Sequence, residues 1–436
     1  MATQPARRKP SAATQVELEV FLGAAEHAVG RLVYVLNGPR EFSQFAYLDA
    51  WLKAPRCFDI SPDLARTAGH QVRKAPTRDD STFFFALADT EPDSWGRRVI
   101  ARAHAKERKG NPALGALNEL DYLCAVDDLS RIGALRLRDA GGRYLRTTPP
   151  GSRATPPLLE LQKMLAASRA VEMSTETAED LSYLIGKGTS LGGMRPKCSV
   201  LDDDGALALG KFPSVQDERS VTRGEVLALR LAGLAGIEVA QARVAMVHDV
   251  PVALVRRFDR MADGARIPYM SGTALLQAGR NEDHAYTEVV DAMRATCWAF
   301  KTDAQQLWRR MVFNHLITNV DDHLHNVGFL YVGGNQWRLA PAFDLNPFPD
   351  KARESKTWLT EDSGPVVSVH ELLAQAARFE LRADEARQVL AQVVAAVSRW
   401  RDVARWPDIG LPEAELDRFA PAFEHQELDE ARALAR

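Results

Sequence analysis

Early in its last third the chain reads Asn319-Val320-Asp321-Asp322-His323-Leu324-His325-Asn326, then an apolar run over 327–332, the turn Gly333-Gly334-Asn335, a second short apolar stretch over 337–340, and Ala342-Phe343-Asp344. Two short β-prone runs around a Gly-Gly-Asn turn specify a hairpin. A hairpin returns the chain on itself, so Asp344 meets Asn326, eighteen positions earlier (344 − 326), at one end of a small sheet. Asp321 precedes Asn326 by five positions (326 − 321). One carboxylate able to take a hydroxyl proton, followed by an amide oxygen and a second carboxylate able to hold Mg²⁺ on nucleotide phosphates, is the donor set a phosphoryl-transfer site needs.

The same stretch permits a second chemistry. His323 and His325, with His315, Asp321 and Asp322, could form a metal cluster of a metal-dependent hydrolase. Zinc and iron sites usually draw on more histidines, whereas carboxylate and amide oxygens suit Mg²⁺.

The 436 residues allow two or three domains and a large core. The formal net charge of −3 provides no global footprint for nucleic acid. One basic tract, Arg7-Arg8-Lys9, lies in a polar N-terminal stretch expected to be a flexible tail over 1–16. Cys57, Cys124, Cys198 and Cys297 are scattered, without the spacing of a disulfide framework or zinc site. No apolar run reaches the roughly 20 residues of a membrane span, and no signal-peptide core is visible. The expected location is cytoplasmic.

Residues 17–146 read as a mixed α/β unit, with strands at 31–36 and 132–137, a buried strand or helix start at 83–87, and a helix opened by Asp93 or Ser94. The Thr/Pro-rich stretch over 147–157 is the best linker. Residues 158–262 then carry a helix through Leu161 and Met164, a Gly-rich run from Gly186 to Gly193, a hairpin over 197–212 and strands at 244–247 and 252–255. Glu225 is placed at the start of an amphipathic helix with Leu227, Leu231 and Leu234 on one face. Residues 263–436 are mostly helical, with a capping box at Thr302–Gln305 and an apolar face of Val389, Val393, Val397 and Trp400.

In the Gly-rich run, Gly186, Gly188, Gly192 and Gly193 would let backbone N–H groups approach phosphate oxygens. The run is no Walker A loop, and most such clusters are only turns. Lys211, inside the apolar strand over 207–212, must find an anion or reach solvent. It lies on the second strand beyond the glycines, where kinases place a nucleotide-pairing lysine; Lys197 is its competitor and Glu225 a candidate partner.

Over most of residues 30–410 the sequence resembles the HipA family of serine/threonine kinases, the toxin half of bacterial toxin–antitoxin pairs. The resemblance rests on Glu91-Pro92-Asp93-Ser94, Ser130-Arg131-Ile132-Gly133-Ala134, the loop Ser190-Leu191-Gly192-Gly193-Met194-Arg195-Pro196-Lys197, Gly210-Lys211-Phe212-Pro213-Ser214, Arg257-Phe258-Asp259-Arg260, Asp321-x-His323-x-x-Asn326 and Pro341-Ala342-Phe343-Asp344, in that order. It implies an α+β, two-lobed protein-kinase-like fold, with a β-rich N-lobe over 158–262, a helical C-lobe over 263–436 and an N-terminal α/β accessory subdomain. It implies ATP and Mg²⁺ as cofactors, with Lys211 on the nucleotide phosphates beside the Gly192-Gly193 loop. Asp321 would be the catalytic base, Asn326 and Asp344 the metal ligands, and His323 a neighbour of the phosphates. Arg257 and Phe258 would hold the adenine through their backbone. Ser190, with Thr189 as the alternative, would be an inhibitory autophosphorylation site. Asp322 stands where the family usually has a small residue, which would add negative charge near the phosphates. The implied substrate is a translation-related protein such as an aminoacyl-tRNA synthetase. The implied partner is a helix-turn-helix antitoxin, through which alone the chain would reach DNA. A catalytically weak pseudokinase acting as a corepressor partner is the alternative within the same fold.

Overall fold

The computed structural model describes residues 14–23, 27–38, 40–146, 158–188 and 193–435. The chain opens with a five-stranded antiparallel sheet of β1 (Thr14–Leu22), β2 (His27–Asn37), β3 (Arg40–Tyr47), β4 (His70–Arg73) and β5 (Leu135–Arg138), in the order β4-β3-β2-β1-β5. Alternation drives it: Leu18 and Val20 on β1 are buried, with Leu32 opposite Leu18 on β2. The sheet thus begins at Thr14, inside the stretch expected to be tail. The helix Ser94–Gly110 starts where expected, with Asp93 as its N-cap accepting from the Gly96 N–H at 2.6 Å. Residues 83–87 resolve to a helix start, since Phe85–Ala88 is helical. The linker expected over 147–157 lies outside the described residues.

A second sheet follows, built from β6 (Lys197–Leu201), β7 (Leu207–Lys211), β8 (Ala242–Val247) and β9 (Val250–Arg256), in the order β6-β7-β9-β8. The helices Leu161–Met173 and Ala178–Gly188 pack with Trp95 and Val99 on its apolar side. Gly186 and Gly188 therefore end a helix rather than opening a phosphate loop. The helix Val221–Leu234 runs beside β9, and Glu225 sits in its interior, buried, not at its start as the sequence suggested.

The remaining part is helical apart from the small sheet β10 (Tyr269–Ser271), β11 (Gly328–Gly333) and β12 (Gln336–Leu339) and one minor strand pair. The anticipated hairpin is β11–β12, with Phe329 opposite Leu339. Strand β10 joins its other edge, and Tyr269 lies so close to Gly328 that a Cβ there would meet the ring at 2.6 Å, which requires glycine. The helix Phe300–Leu316 buries Leu307, Trp308, Met311 and Val312 against the Ala383–Val397 helix and its neighbours. It starts at Phe300, upstream of the expected capping box. Asp303 lies in its first turn and accepts from the Leu339 N–H at 3.1 Å, tying helix to hairpin. Among the described residues no helix is long and apolar enough to cross a membrane.

Among the contacts that hold the N-terminal unit to the rest, two fix the hairpin and the segment after β9. Phe58 stacks on Tyr331 at 3.9 Å between ring centroids, and Asn335 in the hairpin turn exchanges hydrogen bonds with Asp59 at 2.8 and 3.0 Å. At the second place the Asp259 carboxylate accepts from the Gly133 N–H at 2.7 Å and from Arg257 and Arg260. This anchors the segment after β9 to the loop before β5.

Candidate active site

Antiparallel pairing of β6 with β7 sets Lys197 directly opposite Lys211. Opposed side chains share one face of the sheet, so two ammonium groups lie side by side and require anions between them. The fold supplies three. Lys211 Nζ lies 2.5 Å from Glu225 and 2.7 Å from Asp344, and Lys197 Nζ lies 3.3 Å from Asp93. Of the five groups in these pairs four are mostly buried, and Asp344 is about a quarter exposed. The competition between the two lysines is thereby divided: Lys211 joins the two sheets' shared end to Asp344, while Lys197 ties the N-terminal unit's helix cap to the second sheet. The Trp95 N–H also donates to the Gly193 carbonyl at 3.3 Å. Gly193 has φ +93°, and a Cβ there would crowd Lys197 Nζ at 3.0 Å. Gly192 and Ser190 lie outside the described residues.

Burial alone would push Lys211 down, but Asp344 and then Glu225 outweigh it and hold the ammonium above its ordinary range. For Asp344, burial raises the carboxyl, yet Lys211 and Lys197 bring it well below the usual carboxylate range. Glu225 goes the other way: burial and the neighbouring Asp344 outweigh Lys211 and raise it. The cluster of Lys211, Glu225 and Asp344 thus holds one carboxylate more than its lysine can neutralise. Asp344 has φ +54°, a left-handed conformation that Asp tolerates better than most side chains, and Asn346 Nδ2 donates to it at 2.9 Å.

The Asp321 loop follows the Phe300–Leu316 helix. Asp321 is partly exposed, its Oδ1 paired with Lys356 and 3.9 Å from His323 Nε2. Asn326 donates through Nδ2 to the Asp321 carbonyl at 2.8 Å, which leaves its amide oxygen as an acceptor. Burial lowers the His323 imidazole, partly offset by Asp321, and its Nδ1 has no partner among the described residues. Asp322 does not add charge beside Asp321. It is buried on the other side of the backbone, where it accepts from the Tyr286 hydroxyl at 2.8 Å and the Lys356 N–H at 2.7 Å. Burial pushes its carboxyl up to about 6.

His315 takes no part in a cluster with Asp321; it pairs with Glu427 at 3.0 Å in the helical core. His325 is exposed, its ring 5.8 Å from that of His323. Among the described residues no group of three His, Cys, Asp or Glu side chains is arranged to hold a metal. The Arg257 N–H is taken by the Leu207 carbonyl at 2.9 Å, and its guanidinium holds Asp259 and the Ser130 carbonyl. Phe258 packs against Phe343 at 5.4 Å, beside Asp344. Lys356 is the residue that sequence reasoning missed. No local motif marks it, and it comes from 35 positions beyond Asp321.

A β-sheet lobe carrying a lysine–glutamate pair, joined by a short segment to a helical lobe with an Asp-x4-Asn loop and a returning Asp, defines an α+β, two-lobed, protein-kinase-like fold. Residues 189–400 match the family described as the HipA-like C-terminal domain. The chain is 26% identical over 320 residues to a curated protein of Sinorhizobium fredii named "Putative kinase Y4mE", covering 69% of this chain and 71% of that protein. It also shares its fold with HipA of Shewanella oneidensis MR-1, solved in complex with HipB and operator DNA: TM-score 0.65, 16% identity, 96% of each chain covered.

Proposed function

We propose that this protein is an ATP-dependent serine/threonine kinase of the HipA type that transfers the γ-phosphate to a protein hydroxyl. The observation that carries the reading is the buried ion network of Lys211 with Glu225 and Asp344. A kinase needs a strand lysine paired to a helix glutamate and a metal-binding aspartate at the same place, and few purely structural reasons exist for burying an excess carboxylate.

In this reading Lys211 holds the nucleotide phosphates beside the Gly192-Gly193 loop, and Asp321 accepts the proton of the attacking hydroxyl. The residues present fit Mg²⁺. Asp344 is kept ionised, Asn326 donates through its nitrogen and so keeps its amide oxygen as an acceptor, and the surplus negative charge of the cluster suits a hard divalent cation with oxygen ligands. Bound there, the metal would neutralise charge on the β- and γ-phosphates. His323, with its unpartnered Nδ1, stands near enough to Asp321 to serve the phosphates as a hydrogen-bonding neighbour. The lobes proposed are 158–262 and 263–436, with 17–146 as accessory subdomain. In this reading the protein is a toxin, and the complex of Shewanella HipA with HipB and operator DNA supports an antitoxin partner; the proposed partner carries a helix-turn-helix domain through which alone the chain reaches DNA, and the proposed substrate is a translation protein such as an aminoacyl-tRNA synthetase, in the cytoplasm.

Asp344→Asn tests the metal site. The change leaves Lys211 with Glu225 as one cation to one anion, so the unliganded protein should lose far less stability than it does when Lys211 is removed. Mg²⁺-ATP at ~100 times its dissociation constant should stabilise the native protein by about 2.7 kcal/mol, and this increment should disappear in the variant. A scan in which Zn²⁺ alone stabilises and Mg²⁺-ATP does nothing would overturn the reading.

The proposed silencing site is Ser190. A phosphate adds roughly −1.5 to −2 charges, in sequence close to Arg195 and Lys197 and next to a phosphate-binding loop. Ser190→Ala is expected to stay active and become more toxic on expression, and Ser190→Asp to bind ATP poorly. Mass spectrometry of ATP-incubated protein decides whether phosphate sits on Ser190, on Thr189 or on neither.

A further inference from the structure

Lys356 meets Asp321 through a side chain that is 58% exposed. Exposed ion pairs add little to stability, so folding does not explain why this lysine is delivered there. Its delivery is nevertheless built with care. The Asp322 carboxylate is fixed at one oxygen by the Tyr286 hydroxyl and holds the Lys356 N–H with the other. The Asp322 carbonyl accepts from the Thr357 hydroxyl at 2.7 Å. Ser355 Oγ donates to the Thr357 carbonyl at 2.6 Å and accepts from the Val366 N–H at 2.7 Å. Two adjacent aspartates therefore divide the work: Asp322 clips the 355–357 segment to the loop from inside, and Asp321 receives its lysine outside. The other cations nearby have their own roles. Lys211 is assigned above to the nucleotide phosphates, Lys197 is paired with the buried Asp93, and Arg353 donates to Thr318 and to the Pro421 carbonyl.

We infer that Lys356 is the cation that follows the transferred phosphoryl group, resting on Asp321 in the free protein and moving to the γ-phosphate when nucleotide binds, with Asp322 and Tyr286 as the clip that positions it. The inference rests on the kinase reading above. In the transfer, the substrate hydroxyl oxygen bonds to the γ-phosphorus. The bond from that phosphorus to the β–γ bridging oxygen breaks, its electron pair leaving with ADP, and the hydroxyl proton passes to Asp321. Lys356 stays protonated throughout. A lysine is a compact charge on a flexible stem, and with its ammonium at the surface it can shift from carboxylate to phosphate without backbone movement. The shift does two things: it releases Asp321 to act as base, and it places a donor on equatorial oxygens whose charge is redistributed in the transition state. Asp322 is a positioning residue, since it acts only through Lys356.

The experiment uses the full chain, γ-labelled ATP with Mg²⁺, and total lysate protein as acceptor, alongside Mg²⁺-ATP binding by calorimetry. Lys356→Met is expected to lower the transfer rate at saturating nucleotide by about 10²-fold, the size of a lost transition-state donor, with the ATP dissociation constant and melting temperature essentially unchanged. Lys356→Arg, which keeps the charge, should recover most of the rate. Asp322→Asn should lower the rate less than Lys356→Met does, again without weakening nucleotide binding. Wild-type transfer by Lys356→Met, with Asp321→Asn inactive, overturns the inference and leaves the kinase reading standing. A Lys356→Met defect confined to ATP affinity also overturns it, because uniform binding does not discriminate the transition state. A wild-type protein that transfers no label to any acceptor, itself included, and binds no Mg²⁺-ATP overturns both.

Discussion

Asp321→Asn is expected to fold normally and to lose transfer activity by ~10²–10⁴-fold, the range that a positioned general base contributes. The fold should survive because the side chain is partly exposed and what it holds is a surface ion pair. The loop's geometry depends on main-chain groups instead: the Asp321 carbonyl that accepts from Asn326, and the Asp322 carbonyl that accepts from Thr357. Neither is touched by an amide in place of the carboxylate. An amide cannot take the hydroxyl proton, and it no longer holds Lys356 by charge. Circular dichroism and a melting curve check the first half of the expectation, and labelled-phosphate transfer into lysate protein checks the second. Expression of the variant should also relieve any growth arrest that the wild type causes. Wild-type transfer rates in the purified variant would remove Asp321 from the mechanism.

The contrast with its neighbour shows where sequence stopped being informative. Asp321 and Asp322 are the same residue type one position apart, and nothing local distinguishes them. The direction each takes is set by Tyr286 on one side and Lys356 on the other, both more than thirty positions away. The hairpin was legible because its signal is local: two apolar runs, a Gly-Gly-Asn turn and a fixed register. The strand Leu207–Lys211 was legible for the same reason. Glu225 was misplaced because the apolar spacing of Leu227, Leu231 and Leu234 marks a helix face but not its first residue, and the helix begins at Val221 without a side-chain cap. The expected box at Thr302 failed similarly. Phe300 extends the helix upstream, which places Thr302 inside it, and Gln305 donates instead to the Glu380 carbonyl. The joining of β10 to the hairpin, and the face-to-face placement of Lys197 and Lys211, are sheet-pairing facts that no single segment encodes.

Lys211→Met is expected to be the most damaging single change to the fold in this site. In the wild type one ammonium lies between two carboxylates, all three mostly buried. Removing it leaves Glu225 and Asp344 facing each other without a counter-charge, with only Lys197 nearby and that lysine already paired to Asp93. Breaking a buried pair by removing one partner costs about 3–5 kcal/mol, whereas Asp344→Asn, which leaves a balanced pair, should cost far less. The double variant Lys211→Met/Glu225→Gln should recover part of the stability but none of the Mg²⁺-ATP binding, because the phosphate-facing charge is still missing. The pH dependence has a definite sign. In Lys211→Met both carboxyls are raised above their unfolded values of roughly 4, so the folded state binds protons that the unfolded state does not. Its stability deficit should therefore shrink as pH falls from about 7 toward 5. In the wild type Asp344 is depressed, so its contribution is present above the ordinary carboxylate range and is lost only as pH falls below it. Denaturant unfolding of wild type, single and double variants across this pH range measures all of these differences. A Lys211→Met protein as stable as wild type at neutral pH, or one whose deficit grows on acidification, would mean that the three groups do not form the charge cluster on which nucleotide binding is argued to depend.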